Sequence, residues 1–290
     1  MKVDFTFVQS RILPRTAAVN SGSHEAGQAG VTFWMKAALY GRIVFGASAV
    51  LFGVIALMWH DADTWQTTYA ILNLPLGRIV GDCLMVALIG GGLALMLPQT
   101  ARVASSVLIV LYALFSLAAL PGIIKHPAVF GEYDGFFEQF CMLSAAIAVY
   151  AATDANAARS ATLGRVARIG LGLSTVSFTL AQVVYLKMTA DLVPKWIPPN
   201  QMFWAIATTV AFALAAVAIL INSRAQLALR LMALMIGLFG VLVWIPILVA
   251  QPQGHGNWSE FAINFLIAGA AWIVAETAGA QEAARAGSTA

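Results

Sequence analysis

Eight stretches of mostly apolar residues occupy most of the sequence, each about 20 residues long, the length that crosses a bilayer as an α-helix. Only 10% of the 290 residues are charged, whereas soluble domains carry about 25%. The sequence therefore predicts an all-α fold, an integral membrane bundle of eight transmembrane helices with its surface in lipid. The predicted helices cover residues 37–58, 76–97, 103–124, 133–152, 166–186, 201–221, 227–250 and 258–275.

A pattern of prolines, a glycine and aromatic residues occurs twice in the chain. The first copy consists of Pro121, Pro127, Gly131, Phe136 and Phe140, and the second, 125 positions later, of Pro246, Pro252, Gly256, Phe261 and Phe265. Each half contains four apolar stretches, an even number, so both halves enter the membrane from the same side. The sequence predicts two parallel four-helix repeats at 37–153 and 165–277, a disordered cytoplasmic tail at 1–36, a linker at 154–164 and a tail at 278–290.

The basic residues divide unequally between the two sides of the predicted bundle. The side with both termini holds 12 of the 16 lysines and arginines, and the other side holds Arg78, Lys125, Lys187 and Lys195. Short loops rich in lysine and arginine stay in the cytoplasm. The sequence therefore predicts a multi-pass protein of the cytoplasmic (inner) membrane with both termini in the cytoplasm, and the lipid bilayer as its first partner.

Composition also excludes several classes of function. The net charge is +3 and the basic residues are scattered, whereas nucleic-acid binding needs a concentrated basic face, so no nucleic-acid partner is expected. No common nucleotide-binding, zinc-protease or hydrolase motif occurs. His60, Asp61 and Asp63 are adjacent loop residues that rarely converge on a metal without further ligands, so no metal site is predicted. No cofactor is required by the sequence, and it does not decide whether the protein is an enzyme.

Asp82 is the ionisable residue predicted to lie deepest in the second apolar stretch, about 10 Å from its start. A carboxylate at that depth costs about 3 kcal/mol and usually faces a cavity or a partner. Arg78 lies one turn earlier on the same helix face. Two interpretations stay open: an ion pair within the helix that only stabilises it, or a polar group of a ligand site.

Glu138 is the second candidate, about one turn into the fourth predicted helix. Cys141 lies three residues further on the same face, and Cys83 adjoins Asp82. If the second and fourth helices touch, two cysteines and two carboxylates would meet, and such a dithiol could be redox active. The alternative is that each cysteine is a small buried apolar residue. The predicted ligand-binding residues are Asp82, Arg78, Glu138, Cys83 and Cys141.

Three motifs resemble the DoxX-like family of small four-helix membrane proteins, here in tandem. They are the segment from Arg42 to Gly46 with Phe52, the segment from Gly81-Asp82 to Pro98, and the segment from Asp191 to Pro198 followed by Phe203-Trp204. The second half departs from the family pattern. No acid stands at the position equivalent to Asp82, and Trp244 precedes Pro246 where a histidine is expected. The resemblance therefore places any family site in the first half.

The resemblance implies a function as well as a fold. A named member of the family is linked to thiosulfate–quinone oxidoreduction, and the wider fold is similar to emopamil-binding sterol isomerases. The expected function is binding of a small hydrophobic molecule such as a quinone, with the chain as a subunit of a redox complex. The alternatives are a carrier or export factor for a lipid or small solute, and a non-catalytic structural partner of another membrane or redox protein.

Overall fold

The computed structural model of the chain describes the backbone of residues 21–59, 71 and 73–288, and the side chains of 39–59, 71 and 73–283. Most of these residues are helical, and they include no β-strand. Eight of the described helical segments are long and apolar enough to cross a bilayer, so the predicted all-α class and the eight spans are confirmed. The membrane-spanning segments are Leu39–Trp59, Gly77–Met96, Ala101–Lys125, Phe130–Ala152, Ala157–Val184, Gln201–Leu220, Ala225–Ala250 and His255–Ala283.

The helices are numbered in chain order. They are α1 (Ser21–Trp59), α2 (Gly77–Met96), α3 (Ala101–Lys125), α4 (Phe130–Ala152), α5 (Ala157–Val184), the short α6 (Leu186–Leu192), α7 (Gln201–Leu220), α8 (Ala225–Phe239), a π-helical turn (Gly240–Trp244), α9 (Ile245–Ala250) and α10 (His255–Ser288). The segment from Ala225 to Ala250 is thus one span made of α8, the π-helical turn and α9.

Polar residues start two of the helices. The Asn156 side chain accepts the backbone N–H of Arg159 at 3.0 Å and begins α5, and Asn200 accepts the N–H of Phe203 at 2.9 Å and begins α7. Asparagine is among the preferred residues at this position because its side chain satisfies a backbone donor that has no partner inside the helix.

Helices extend into three segments that were expected to lie outside the bundle. The helix α1 begins at Ser21, within the predicted disordered tail, whose residues 1–20 lie outside the described residues. The helix α5 begins at Ala157, inside the predicted linker, and α10 continues to Ser288 through the predicted tail. The segments that α5 and α10 enter contain many alanines, which favour a helix whether or not the segment is apolar.

Contacts between the helices form one compact unit from Ala38 onward. The helix α1 contacts α2 and α10: a Cβ placed on Gly92 would lie 2.7 Å from the Gly46 carbonyl oxygen, and one on Gly269 would lie 2.7 Å from the Phe45 nitrogen. The helix α4 packs against α3, α5 and α10, and α8 packs against α7 and α10. Helices α4 and α10 are therefore central to the packing.

Hydrogen bonds between chain segments define two ends of the bundle. At the first, called the linker end, Arg102 Nη1 donates to the Thr153 carbonyl oxygen at 2.7 Å. At the opposite end, called the cavity end, the Gly131 N–H donates to the Tyr185 hydroxyl oxygen at 3.1 Å. The linker end contains residues 97–100, 153–156 and 221–224, and the cavity end contains 126–129, 185–200 and 251–254.

One hydrogen bond has a counterpart 125 positions later. The Tyr133 hydroxyl donates to the Pro127 carbonyl oxygen at 3.2 Å, and Trp258 Nε1 donates to the Pro252 carbonyl oxygen at 3.0 Å. Each bond fixes the turn that precedes an aromatic-rich helix at the cavity end. The two-repeat organisation itself stays a prediction.

Candidate functional site

A cavity of about 730 Å³ lies between the second-half helices and α4. Side chains from α4, α5, α6, α7, the span from Ala225 to Ala250, and α10 line it. Most of the wall is apolar or aromatic. Small-molecule sites in proteins have this volume and this composition, so the cavity is the candidate site.

Three carboxyl groups face the cavity. Asp134 and Glu138 lie one turn apart on α4, and Glu260 projects from α10. Each side chain is partly exposed and lines the cavity wall. The three groups are close enough to interact electrostatically. Among the described residues that line the cavity there is no lysine, arginine or histidine, so the described lining side chains include acids and no basic group.

The carboxyl groups lie within membrane-spanning segments. Glu138 is eight residues into α4, about 12 Å along the helix axis, and Glu260 is five residues into α10, about 8 Å along it. Ionisable side chains inside membrane-spanning segments are rare and usually face a cavity or a pathway. Their position in an otherwise apolar wall is the main chemical feature of the site.

Asp134 has a buried polar neighbour. Ser177 on α5 is 3% exposed and interacts with the Asp134 carboxyl group. Asp134 Oδ1 and Ser177 Oγ are both buried, and neither has a hydrogen-bond partner with good geometry among the described residues. Buried polar atoms are nearly always paired, and the Ser177 hydroxyl is placed to donate to the Asp134 carboxyl group.

Other polar groups of the cavity are held by hydrogen bonds within the protein. Gln182 Oε1 accepts the Thr209 hydroxyl at 3.0 Å and the Thr208 hydroxyl at 3.3 Å. With its amide oriented to satisfy both neighbours, Asn264 accepts Trp244 Nε1–H at 2.7 Å and donates to the Ile236 carbonyl oxygen at 3.0 Å. These bonds fix α5 to α7, and α10 to the span that contains the π-helical turn.

The π-helical turn places three residues, Leu242 to Trp244, on the cavity wall. Gly240 begins the turn against the Phe265 ring, where an added Cβ would lie 2.4 Å from a ring carbon. Pro246 follows the turn and cannot donate a backbone hydrogen bond to the Leu242 carbonyl group. Single π-helical turns inside α-helices are frequent at functional sites.

The apolar wall has an aromatic part and a loop part. Phe212 packs against Phe178, with ring centroids 6.3 Å apart, and against Phe239, at 6.5 Å. The loop after α6 contributes Val193, Pro194 and Ile197 at the cavity end. This loop is fixed to α7, because Gln201 Nε2 donates to the Val193 carbonyl oxygen at 2.6 Å.

The structure separates the residues predicted from the sequence. Glu138 lines the cavity, and Cys141, one turn further along α4, is fully buried beside it. Asp82, Arg78 and Cys83 are not among the lining residues. Asp82 is half-buried, whereas Arg78 and Cys83 are exposed.

The two cysteines lie in different environments. Cys83 is exposed on α2, which packs against α1 and α3, and Cys141 is buried on α4, which packs against α3, α5 and α10. The described side chains therefore present no surface dithiol. The loop residues considered as metal ligands, His60, Asp61 and Asp63, lie outside the described residues, and the described histidines, cysteines and acids contain no group of three that could hold a metal ion.

The cavity and the sequence resemblance point to different halves of the chain. Most of its wall comes from residues 165–277, although the resemblance pointed to residues 37–153. Asp134 and Glu260 were not among the residues predicted for the site. The missing signal was that Glu260, like Glu138, falls inside a predicted membrane helix, where a carboxylate is a functional candidate by default.

The fold and the cavity define the class of this protein. It is an integral membrane protein whose described residues include eight apolar helical spans, and five of these spans, with α6, line a cavity that contains carboxyl groups near one end. Comparison of the chain with family models, curated proteins and solved structures gives no match.

Proposed function

We propose that this integral membrane protein binds a small, mainly apolar molecule in the cavity between α4 and the second-half helices. The observation that carries the proposal is the cavity itself, about 730 Å³ in volume, with an apolar and aromatic wall and a few polar groups at defined positions. A cavity of that size holds a molecule of drug-like dimensions. The membrane supplies such molecules directly through its hydrophobic interior.

The proposal keeps the DoxX-like assignment and the two-repeat organisation. The segment from Asp191 to Pro198, one of the motifs that carry the resemblance, contributes Leu192, Val193, Pro194 and Ile197 to the cavity wall. The corresponding Tyr133–Pro127 and Trp258–Pro252 hydrogen bonds favour a duplicated unit. A role as the quinone-binding subunit of a redox complex is the specific function that this assignment implies.

The proposed orientation follows from the charge distribution of the sequence. Both termini lie in the cytoplasm and the chain resides in the inner membrane, because the linker end carries most of the lysine and arginine residues. The cavity end, with Asp134, Glu138 and Glu260, then lies toward the outer side of the membrane. Ligand would enter from that side or from the outer leaflet.

Native mass spectrometry of the protein released from lipid nanodiscs tests the proposal. We expect the protein to retain a non-protein species after purification. Ala181→Phe fills the cavity from α5 and should abolish retention, whereas Val183→Phe, at a 57% exposed position two residues away, should preserve it. Equal retention by the two variants, or no retained species in any sample, would contradict the proposal. A retained quinone would support the redox-subunit function.

A further inference from the structure

We infer that the molecule bound in this cavity carries a positive charge: an organic ammonium ion with an apolar body, held by Asp134, Glu138 and Glu260. The inference rests on the proposed function and names the chemical class of its ligand. The proposed function does not specify the charge of the ligand, which follows from the charged and hydrogen-bonding groups of the cavity.

The charge balance of the cavity is one-sided. Three carboxyl groups face one space, and no basic side chain occurs among the described lining residues. Ionised carboxyl groups this close at a site of low dielectric constant repel strongly, so they hold protons unless a counter-charge is present. A cationic ligand supplies this counter-charge at the place where the three groups meet.

The hydrogen-bond acceptors of the cavity also favour a cationic ligand. An ionised carboxylate only accepts hydrogen bonds, and Asp134 Oδ1 is a buried acceptor with no partner among the described residues. The nearby Ser177 hydroxyl is buried and interacts with this carboxyl group. The donors of Thr208, Thr209 and Trp244 bond to Gln182 or Asn264. The three carboxyl groups therefore favour a ligand that donates hydrogen bonds or carries positive charge.

The same observations favour an organic cation over a metal ion. The described acids and histidines contain no group of three arranged to hold a metal ion, so the geometry favours a larger cation. Trp204 and Trp244 also line the cavity, and aromatic faces attract ammonium groups.

Two probes of equal shape test the inference: benzyltrimethylammonium and its neutral carbon analogue neopentylbenzene. Binding of each radiolabelled probe is measured by equilibrium dialysis against the full chain in nanodiscs of zwitterionic lipid, with empty nanodiscs as background. We expect the cation to bind about tenfold more tightly than the neutral analogue, the size expected for one interaction with a charged group.

Single substitutions assign the effect to the cavity. Glu138→Gln and Glu260→Gln should each weaken binding of the cation about tenfold while changing that of neopentylbenzene less than about twofold. Asp191→Asn, at an exposed acid of the same end that does not line the cavity, is the matched control and should change neither. Retained binding of neopentylbenzene also shows that the variants are folded.

The outcomes separate the inference from the proposed function. Equal affinity for both probes, or a cation preference that survives both glutamate substitutions, would overturn the inference and leave a neutral-ligand site in place. Failure of both probes to bind, together with no species retained on purification, would overturn the proposed function as well.

Discussion

Asp154, in the turn between α4 and α5 and outside the membrane-spanning segments, forms an ion pair with Arg159 in the first turn of α5. Arg159 Nη2 donates to Asp154 Oδ1 at 2.8 Å, Nε donates to Oδ2, and the Asn156 N–H donates to Oδ1 at 3.0 Å. The Arg159 hydrogen bond, followed by the backbone N–H, lowers the pKa of Asp154 from 3.8 to about 2. Because the folded-state pKa is depressed, the contact stabilises the fold above pH 3.8 and is lost as the pH falls through about 2.

A titration of the Asp154 carboxyl carbon by nuclear magnetic resonance measures this pKa directly. We expect a midpoint near 2 in the unaltered protein and a midpoint closer to 3.8 in Arg159→Gln, which removes the main donor. A midpoint near 3.8 in the unaltered protein would show that the ion pair does not persist in solution.

Among single residues, the sequence predicted the kind of side chain that lines the cavity better than it predicted where each side chain lies. Glu138 was predicted because a carboxylate inside an apolar stretch usually faces a cavity or a partner. The structure places it on the cavity wall. Asp82 satisfied the same criterion but does not line this cavity. Depth in a helix is readable from the sequence, whereas the direction of a side chain depends on which neighbours its helix packs against.

At the scale of the elements, the contact between α1 and α2 depends on the absence of a side chain at Gly92. A Cβ there would lie 2.7 Å from the Gly46 carbonyl oxygen and 3.1 Å from the Ala49 Cβ. The first of these is a backbone atom that cannot move without its helix. We expect Gly92→Ala to lower the free energy of unfolding by about 2 kcal/mol, the usual cost of overpacking.

Gly90 is the matched control for this prediction. It lies on the same helix, and a Cβ there would have no heavy atom within 4 Å among the described residues. Gly90→Ala should therefore leave stability unchanged or raise it slightly, because alanine favours a helix. Circular dichroism measures the unfolding of both variants in denaturant. Equal free energies of unfolding for the two variants would contradict the close approach of α1 and α2.

The π-helical turn connects helix geometry to the cavity. Pro246→Ala supplies the N–H that an α-helix needs for the Leu242 carbonyl group. We expect the π-helical turn to become α-helical and the hydrogen bond between Trp244 Nε1 and the Asn264 side chain to break. Since one hydrogen bond contributes about 1 kcal/mol, neopentylbenzene binding should weaken about fivefold. Pro121→Ala, in the α-helical α3, is the control and should leave binding unchanged. Unchanged binding in both variants would show that the turn does not shape the site.

The turn also shows why element geometry was only partly predictable. Pro121 and Pro246 occupy corresponding positions in the two copies of the sequence pattern, yet only the second follows a π-helical turn. The position that corresponds to Gly240 is Phe115, a buried ring packed on Tyr112. Gly240 instead leaves room for Phe265 against the backbone. This difference is a tertiary contact, so the pattern of prolines alone could not reveal it.

At the scale of the whole molecule, the orientation in the membrane is the prediction that most affects access to the cavity. Ala155→Cys at the linker end and Gln253→Cys at the cavity end, each in a background where Cys83 and Cys141 are serine, report the two sides separately. We expect an impermeant thiol reagent added outside intact cells to label position 253 and not position 155. Labelling of position 155 alone would reverse the proposed orientation.

The number of spans and the all-α class followed from the sequence because length and apolar composition alone determine whether a helix can cross a bilayer. The position of the cavity could not be predicted from the sequence. Its wall combines Glu138 of the first half with Glu260 of the second, and their proximity depends on the packing of α4 against α10. No local pattern in either helix specifies that contact.

The space between Glu138, Glu260 and Trp244 is either a ligand site or a packing defect, and an experimental structure of the protein purified with native lipid distinguishes the two. We expect non-protein density of a small molecule in the cavity, with its polar end within hydrogen-bonding distance of the carboxyl groups. A cavity closed by inward movement of α6 and α7, with no density between the carboxyl groups, would contradict it.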